Sequence, residues 1–267
     1  MATSTAQLDS IFFRLDFNGD NKREYLLKPL CLEVLKRFEF LSQRVDCYFA
    51  SSDDDYLTTQ NGCHFRGFQI SYLGRNDLPR YLFSRFFHAY DGRDPLPSFE
   101  QQLAFDHLIY VRNSTSLDPT GCTSTLAHEL EHIAQHCQSH SMMRANNLLY
   151  DNVIIMSGGS DFTVFDIPTE RDANIVSKRV AETICGPEAV MRFTDERIQY
   201  FAQLARSGDD AAGRERTRWE GFRNISPEAG YDWIEATKVL IERFRPEIVT
   251  RNLGRFYGLD FTKAEWW

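Results

Sequence analysis

Four of the seven histidines fall within thirteen residues, each four positions after the last: His128, His132, His136 and His140. Between and around them Leu126, Leu130, Ile133, Ala134 and Cys137 recur at intervals of three and four, which is the spacing of an α-helix with one apolar stripe. Residues 124–137 are therefore expected to form an amphipathic helix packed on a core, with Thr123 or Ser124 as its N-cap. The segment contains HELEH, residues 128–132. On a helix, positions i and i+4 share a face one turn apart. The imidazoles of His128 and His132 can then reach one metal ion. Glu129, beside the first, is placed to hold and deprotonate a water activated there.

A catalytic zinc site takes three protein ligands and leaves one position open. The longer motif HExxHxxGxxH would need glycine at 135 and histidine at 138, but the chain has Gln135 and Gln138. His136 continues the four-residue spacing, yet three such positions span about 12 Å of helix at 1.5 Å per residue. His136 and His140 are accordingly expected on the surface or behind the ligands. A third candidate is Glu170, in the first turn of a helix expected to begin near Pro168, on the side of Ala173 and Ser177. That side should face the interior, and a buried carboxylate needs a partner such as a metal. A carboxylate complementing a helix N-terminus is the other reading. The residue pattern alone leaves both open.

HELEH followed by TERDANIVSKRVAETICGP (Thr169 to Pro187) resembles zinc metallopeptidases of the gluzincin type, and within them the ImmA/IrrE-like family. These couple HExxH to a downstream ExxAN helix, which Glu170, Ala173 and Asn174 match. The resemblance spans roughly residues 123–187, about a quarter of the chain. It implies Zn2+ as cofactor, His128, His132 and Glu170 as its ligands, and Glu129 as general base. The reaction inferred is hydrolysis of a peptide bond in a protein or peptide substrate. Asn174, one turn after Glu170, is then placed to orient a ligand, and Tyr150, Arg171 and residues of the helical second half are candidate electrophiles among which the sequence does not choose. A metal-binding regulatory or interaction protein without activity, and a structural protein whose HELEH is accidental, are the rival classes.

The remaining chain places this helix in an α+β context. Leu30, Cys31, Val34, Leu35, Phe38 and Leu41 predict a helix over about Lys28 to Val45. The preceding DFNGDN (Asp16 to Asn21) fails as a calcium loop, because Leu27 stands where the bidentate carboxylate belongs, and reads as a turn or short hairpin. Phe68, Ile70 and Tyr72 alternate as a strand. Tyr81 to Tyr90 carries a helical apolar stripe, and Ser98 with Gln101 makes a possible capping box. His107 to Arg112 reads as a strand that either borders a substrate cleft or lies inside a sheet, its LIYV being apolar on both faces. A β-hairpin is expected from Val153 to Asp166 around SGGS. Gly186-Pro187 should end the helix from Pro168, Thr194 should cap another, residues 207–216 should be a loop, and Ser226-Pro227-Glu228 should open a last helix.

The expected architecture is one two-lobed domain over residues 1–267. A mixed lobe with a small sheet (1–118) precedes the metal helix and a mainly helical lobe (119–267), an arrangement the resemblance makes zincin-like. With 30 basic against 38 acidic residues, no broad nucleic-acid surface is expected. No apolar run approaches the length of a membrane span. The first fifteen residues lack the basic start and apolar run of a secretory signal, and six scattered cysteines without a CxxC pair read as reduced thiols. Cytoplasmic residence is the expectation, and delivery into a host cell as an effector is compatible with it.

Overall fold

The computed structural model describes residues 5–8, 11–17, 19–41, 43–49, 67–71, 106–111, 117–152, 164–227 and 230–266. Five strands pair into one sheet: β1 (Thr5–Leu8), β2 (Ile11–Asp16), β3 (Val45–Phe49), β4 (Gly67–Ser71) and β5 (His107–Val111). Their order is β1-β2-β3-β5-β4. The central three run parallel, with Phe13 opposite Val45 and Val45 opposite His107. β1 and β4 run antiparallel along the two edges. Every second residue is buried: Phe13 and Leu15, then Val45, Cys47 and Phe49, then His107, Ile109 and Val111. A period of two puts all eight on one face, and that face receives the helices. β5 is paired on both sides, so the interior reading of His107–Arg112 holds. Among the described residues the strand covers His107–Val111, and β4 lies beside it at the edge of the described sheet.

Among the described residues seven α-helices make the chain mostly helical: α1 (Asn21–Lys36), α2 (Pro119–Gln138), α3 (His140–Asp151), α4 (Pro168–Cys185), α5 (Pro187–Arg206), α6 (Asp210–Asn224) and α7 (Trp233–Thr250). α1 starts and ends earlier than expected. Asp20 caps it, its carboxylate accepting from the Arg23 backbone N–H at 2.9 Å. Gly19, at φ +76, supplies the left-handed residue of the turn before it, so DFNGDN is the end of β2 plus a helix cap. Phe38 and Leu41 still reach the core, but from the turn after α1. The sheet face, α1 and α2 share one core: Leu27, Cys31, Val34 and Leu35 meet Cys122, Leu126, Ala127, Leu130 and Ile133. The thiols of Cys31 and Cys122 share a hydrogen bond at 4.0 Å and form no disulfide.

Several expected boundaries move, for one recurrent reason. α2 begins at Pro119 because Asp118 accepts from the Gly121 N–H, and Thr123 and Ser124 lie buried within it. α6 fills most of the expected loop 207–216, capped by Asp209. α7 starts at Trp233 with Asp232 as its cap, not at Ser226-Pro227-Glu228. Thr194 is inside α5, its hydroxyl donating to the Val190 carbonyl. Gly186 both ends α4 and precedes α5; at φ +89 it occupies backbone space that side-chain-bearing residues rarely enter, with Pro187 in the first turn beyond. Of the expected β-hairpin, residues 153–163 fall outside the described residues and Val164–Asp166 forms a 3₁₀ turn. The aromatic stripe at 81–90, the Ser98–Gln101 box and Tyr72 also lie outside them.

Two further cores support α4. Ala181 packs with Val190, Phe193, Phe201, Ala212, Trp219 and Phe222 of α5 and α6. α3, α7 and the terminal segment enclose Leu148, Leu149, Trp233, Ile241, Phe261 and Trp266. Lys178 of α4 donates to the carbonyls of Arg223 and Ile225 at 2.8 and 2.6 Å. It thereby satisfies the open end of α6 and fixes that helix beside α4. Among the described residues no helix is long and apolar enough to cross a membrane.

Candidate metal site

α2 and α4 pack side by side, and each delivers polar groups to the seam. His128 and His132 come from consecutive turns of α2. Glu170 comes from the first turn of α4, whose start is set by Pro168 at its N-terminus. The two imidazole Nε2 atoms are 3.1 Å apart. Glu170 Oε2 lies 3.5 Å from His128 Nε2, and its Oε1 lies 3.4 Å from His132 Nε2. Ligands 2.0–2.1 Å from a tetrahedral zinc are separated by about 3.3 Å. The three side chains thus already stand at the mutual distances such an ion requires. Among the described residues they form the one cluster of three or more histidine, cysteine or carboxylate groups close enough to share an ion.

The protonation of the triad follows from its surroundings. Burial alone would push His132 down, but the Glu170 carboxylate, helped by Glu129 and Gln135, outweighs it and raises the imidazole to about 9. Glu170 shows the converse: burial would raise it, and the hydrogen bonds and charges of both histidines hold it well below the usual carboxylate range. The two shifts together favour a charged His132 beside an ionised Glu170. Glu129 is buried on α2, near enough to His132 to favour its charged form.

Gln135 fixes the orientation of the His132 ring. Its amide nitrogen donates to Thr169 O at 3.0 Å and Asp172 Oδ2 at 2.9 Å. Both protons being engaged, Oε1 must be the atom facing His132 Nδ1, 2.9 Å away. Nδ1 then carries a hydrogen, and Nε2 is the nitrogen that can present a lone pair to a metal. Asp172 is itself pushed up, chiefly by burial. Glu131 is raised to about 8 by burial and then by Asp172.

The structure brings His128, Glu129, His132 and Glu170 together and leaves His136 and His140 apart. Those two bond to each other, Nε2 to Nδ1 at 3.2 Å, and His136 meets the buried His107 in a T-shaped contact. Burial, then the neighbouring His136, pulls His107 down to about 4. Arg171 turns away from the triad to lie over Tyr231. Asn174 is buried one turn past Glu170, its amide nitrogen without a hydrogen-bond partner among the described residues.

Two groups escaped the sequence reading. Gln135 had a signal, being three residues after His132 and so on the adjacent turn. Arg218 had none. It comes from α6, where Nη2 stands 3.7 Å from Glu170 Oε2 and Nη1 donates to Glu215 Oε1 at 3.3 Å. Compared with protein-family models, curated proteins and solved structures, the chain matches none.

Proposed function

We propose that the protein is a zinc-dependent endopeptidase of gluzincin type, in which a zincin-like mixed lobe (1–118) backs the metal helix and the helical lobe (119–267) supplies the third ligand. The observation that carries this reading is the triangle of His128, His132 and Glu170, whose edges suit a tetrahedral ion, beside a buried glutamate in HExxH register. The imidazole, imidazole and carboxylate donor set suits zinc. When bound, zinc would acidify a water and polarise the scissile carbonyl.

The chain's own residues do the rest. Glu129 takes the proton of the attacking water and returns it to the departing amine. Gln135 holds the His132 ring so that Nε2 faces inward, and Asp172 in turn holds Gln135. Edge strand β4 offers backbone hydrogen bonds to an extended peptide, the mode in which a sheet accepts one more strand. A specific intracellular protein is the substrate this reading favours.

The test combines elemental analysis with one variant. Protein purified without added metal should carry zinc in equimolar amount. Glu129→Gln should keep that zinc and lose cleavage of a denatured-protein or peptide-library substrate. Zinc with no cleavage by either form would leave a metal-binding regulatory protein; no zinc would end the metal reading.

A further inference from the structure

We infer that Arg218 is the oxyanion-binding group of this site: its guanidinium receives the substrate carbonyl oxygen as negative charge develops there. The inference rests on the peptidase reading above and names a residue that HExxH and its downstream helix do not contain.

The geometry is that of a cation anchored at one end and open at the other. Arg218 lies over the Phe165 ring, 5.3 Å from its centroid, with Glu215 one turn earlier bonded to Nη1. These two contacts fix the plane of the guanidinium. Nη2 points to Glu170, but 3.7 Å exceeds the 2.7–2.9 Å of a formed charge-assisted hydrogen bond. Nε is buried and has no partner among the described residues. A guanidinium carries five N–H donors, and the one to Glu215 is the hydrogen bond this side chain makes there. Arg218 is in surplus of donors beside the very carboxylate that ligates the metal.

Neighbouring cations are otherwise engaged. Lys178 is spent on two backbone carbonyls, Arg179 donates to Pro227 O, and Arg171 lies over Tyr231. The Arg218 side chain is also 25% exposed, against 14% for Glu170 and 6% for His128, so it stands on the solvent side of the triad, where a substrate enters. A preorganised donor at the developing oxyanion is the usual largest electrostatic contribution to acyl transfer. Lys178 also has a part here: by fastening the end of α6 to α4 it sets where Arg218 stands.

The rival role is structural, with Arg218 merely balancing the charge of Glu170. Cobalt-substituted protein separates the two, with inorganic phosphate as a tetrahedral anion probe read from the visible cobalt absorption. Wild type should show a saturable phosphate-dependent change. Arg218→Gln should weaken phosphate binding about ten- to a hundredfold, as loss of a charge-assisted hydrogen bond does, while cobalt affinity stays within about threefold of wild type. Arg218→Lys, which keeps the charge, should recover part of the phosphate affinity and decides the matter if the glutamine variant does not fold. Equal phosphate affinity in wild type and variants at saturating cobalt overturns the assignment, as does a variant that loses cobalt affinity alone. Wild type that takes up cobalt without responding to phosphate also overturns it, whereas wild type that takes up no cobalt refutes the metal site itself.

Discussion

Zinc uptake at neutral pH should expel a proton from His132. In the metal-free protein this imidazole is held at about 9 by Glu170 against the opposing effect of burial. At pH 7.5 it is then mostly protonated, and binding requires the neutral ring. The stoichiometry should therefore be about one proton released from His132 per zinc. Its share of the apparent affinity should rise roughly tenfold per pH unit until pH 9. Calorimetric titration of zinc at pH 7.5 in buffers of differing ionisation enthalpy measures the release directly. The same pair sets a stability dependence in the metal-free protein. His132 is raised above its unfolded value of about 6.5, so its contribution is complete below pH 6.5 and disappears as pH rises through 9. Its size is on the order of a few kcal/mol. Equimolar zinc uptake with no proton release at pH 7.5 would show that His132 is already neutral and refute the ion-pair account.

Other perturbations should sort the residues by role. Glu170→Gln should weaken zinc by more than about a hundredfold in a chelator competition, beyond the cost of losing a supporting partner; unchanged affinity would reduce the site to two histidines. His136→Ala should keep its zinc under the same competition, and loss of metal there would show the third ligand to be misassigned. Gln135→Leu should lower zinc affinity about ten- to a hundredfold in the same competition, with the metal released correspondingly faster. Leu126→Ala, at a fully buried position of α2 in the core it shares with the sheet and α1, should cost about 2–5 kcal/mol in urea denaturation with zinc still bound at low temperature.

What could be read in advance was whatever depended on neighbours in sequence. HELEH fixes the His128–His132 relation because helix geometry does so. Glu170 was legible because Pro168 marks a helix start and Ala173 and Ser177 mark its inner side. Apolar stripes found α1, α2 and α7 but misplaced their beginnings, since a helix's first turn is often polar. Asp20, Asp118, Asp209 and Asp232 each cap a helix by accepting from the backbone N–H three residues on. The signal lay in those aspartates and not in the stripe. The partners Gln135–Asp172 and Arg218–Glu170 join separate helices, and only the packing of α2, α4 and α6 makes them neighbours.

The three proposed ligands also differ in how far the chain must travel to unite them. His128 and His132 meet on any single helical turn, so a partly folded chain can already hold an ion weakly through both. Glu170 lies 38 positions beyond His132 and arrives only when α4 docks on α2. A bound ion is thus a reversible cross-link closing a loop of about that length. The chain-entropy account of such links assigns them about 4 kcal/mol of constraint on the unfolded ensemble. Residual binding to the local histidine pair in that ensemble would subtract from the stabilisation seen on loading. The difference in unfolding free energy between loaded and metal-free protein accordingly measures the arrival of α4 more than the strength of the two imidazole bonds.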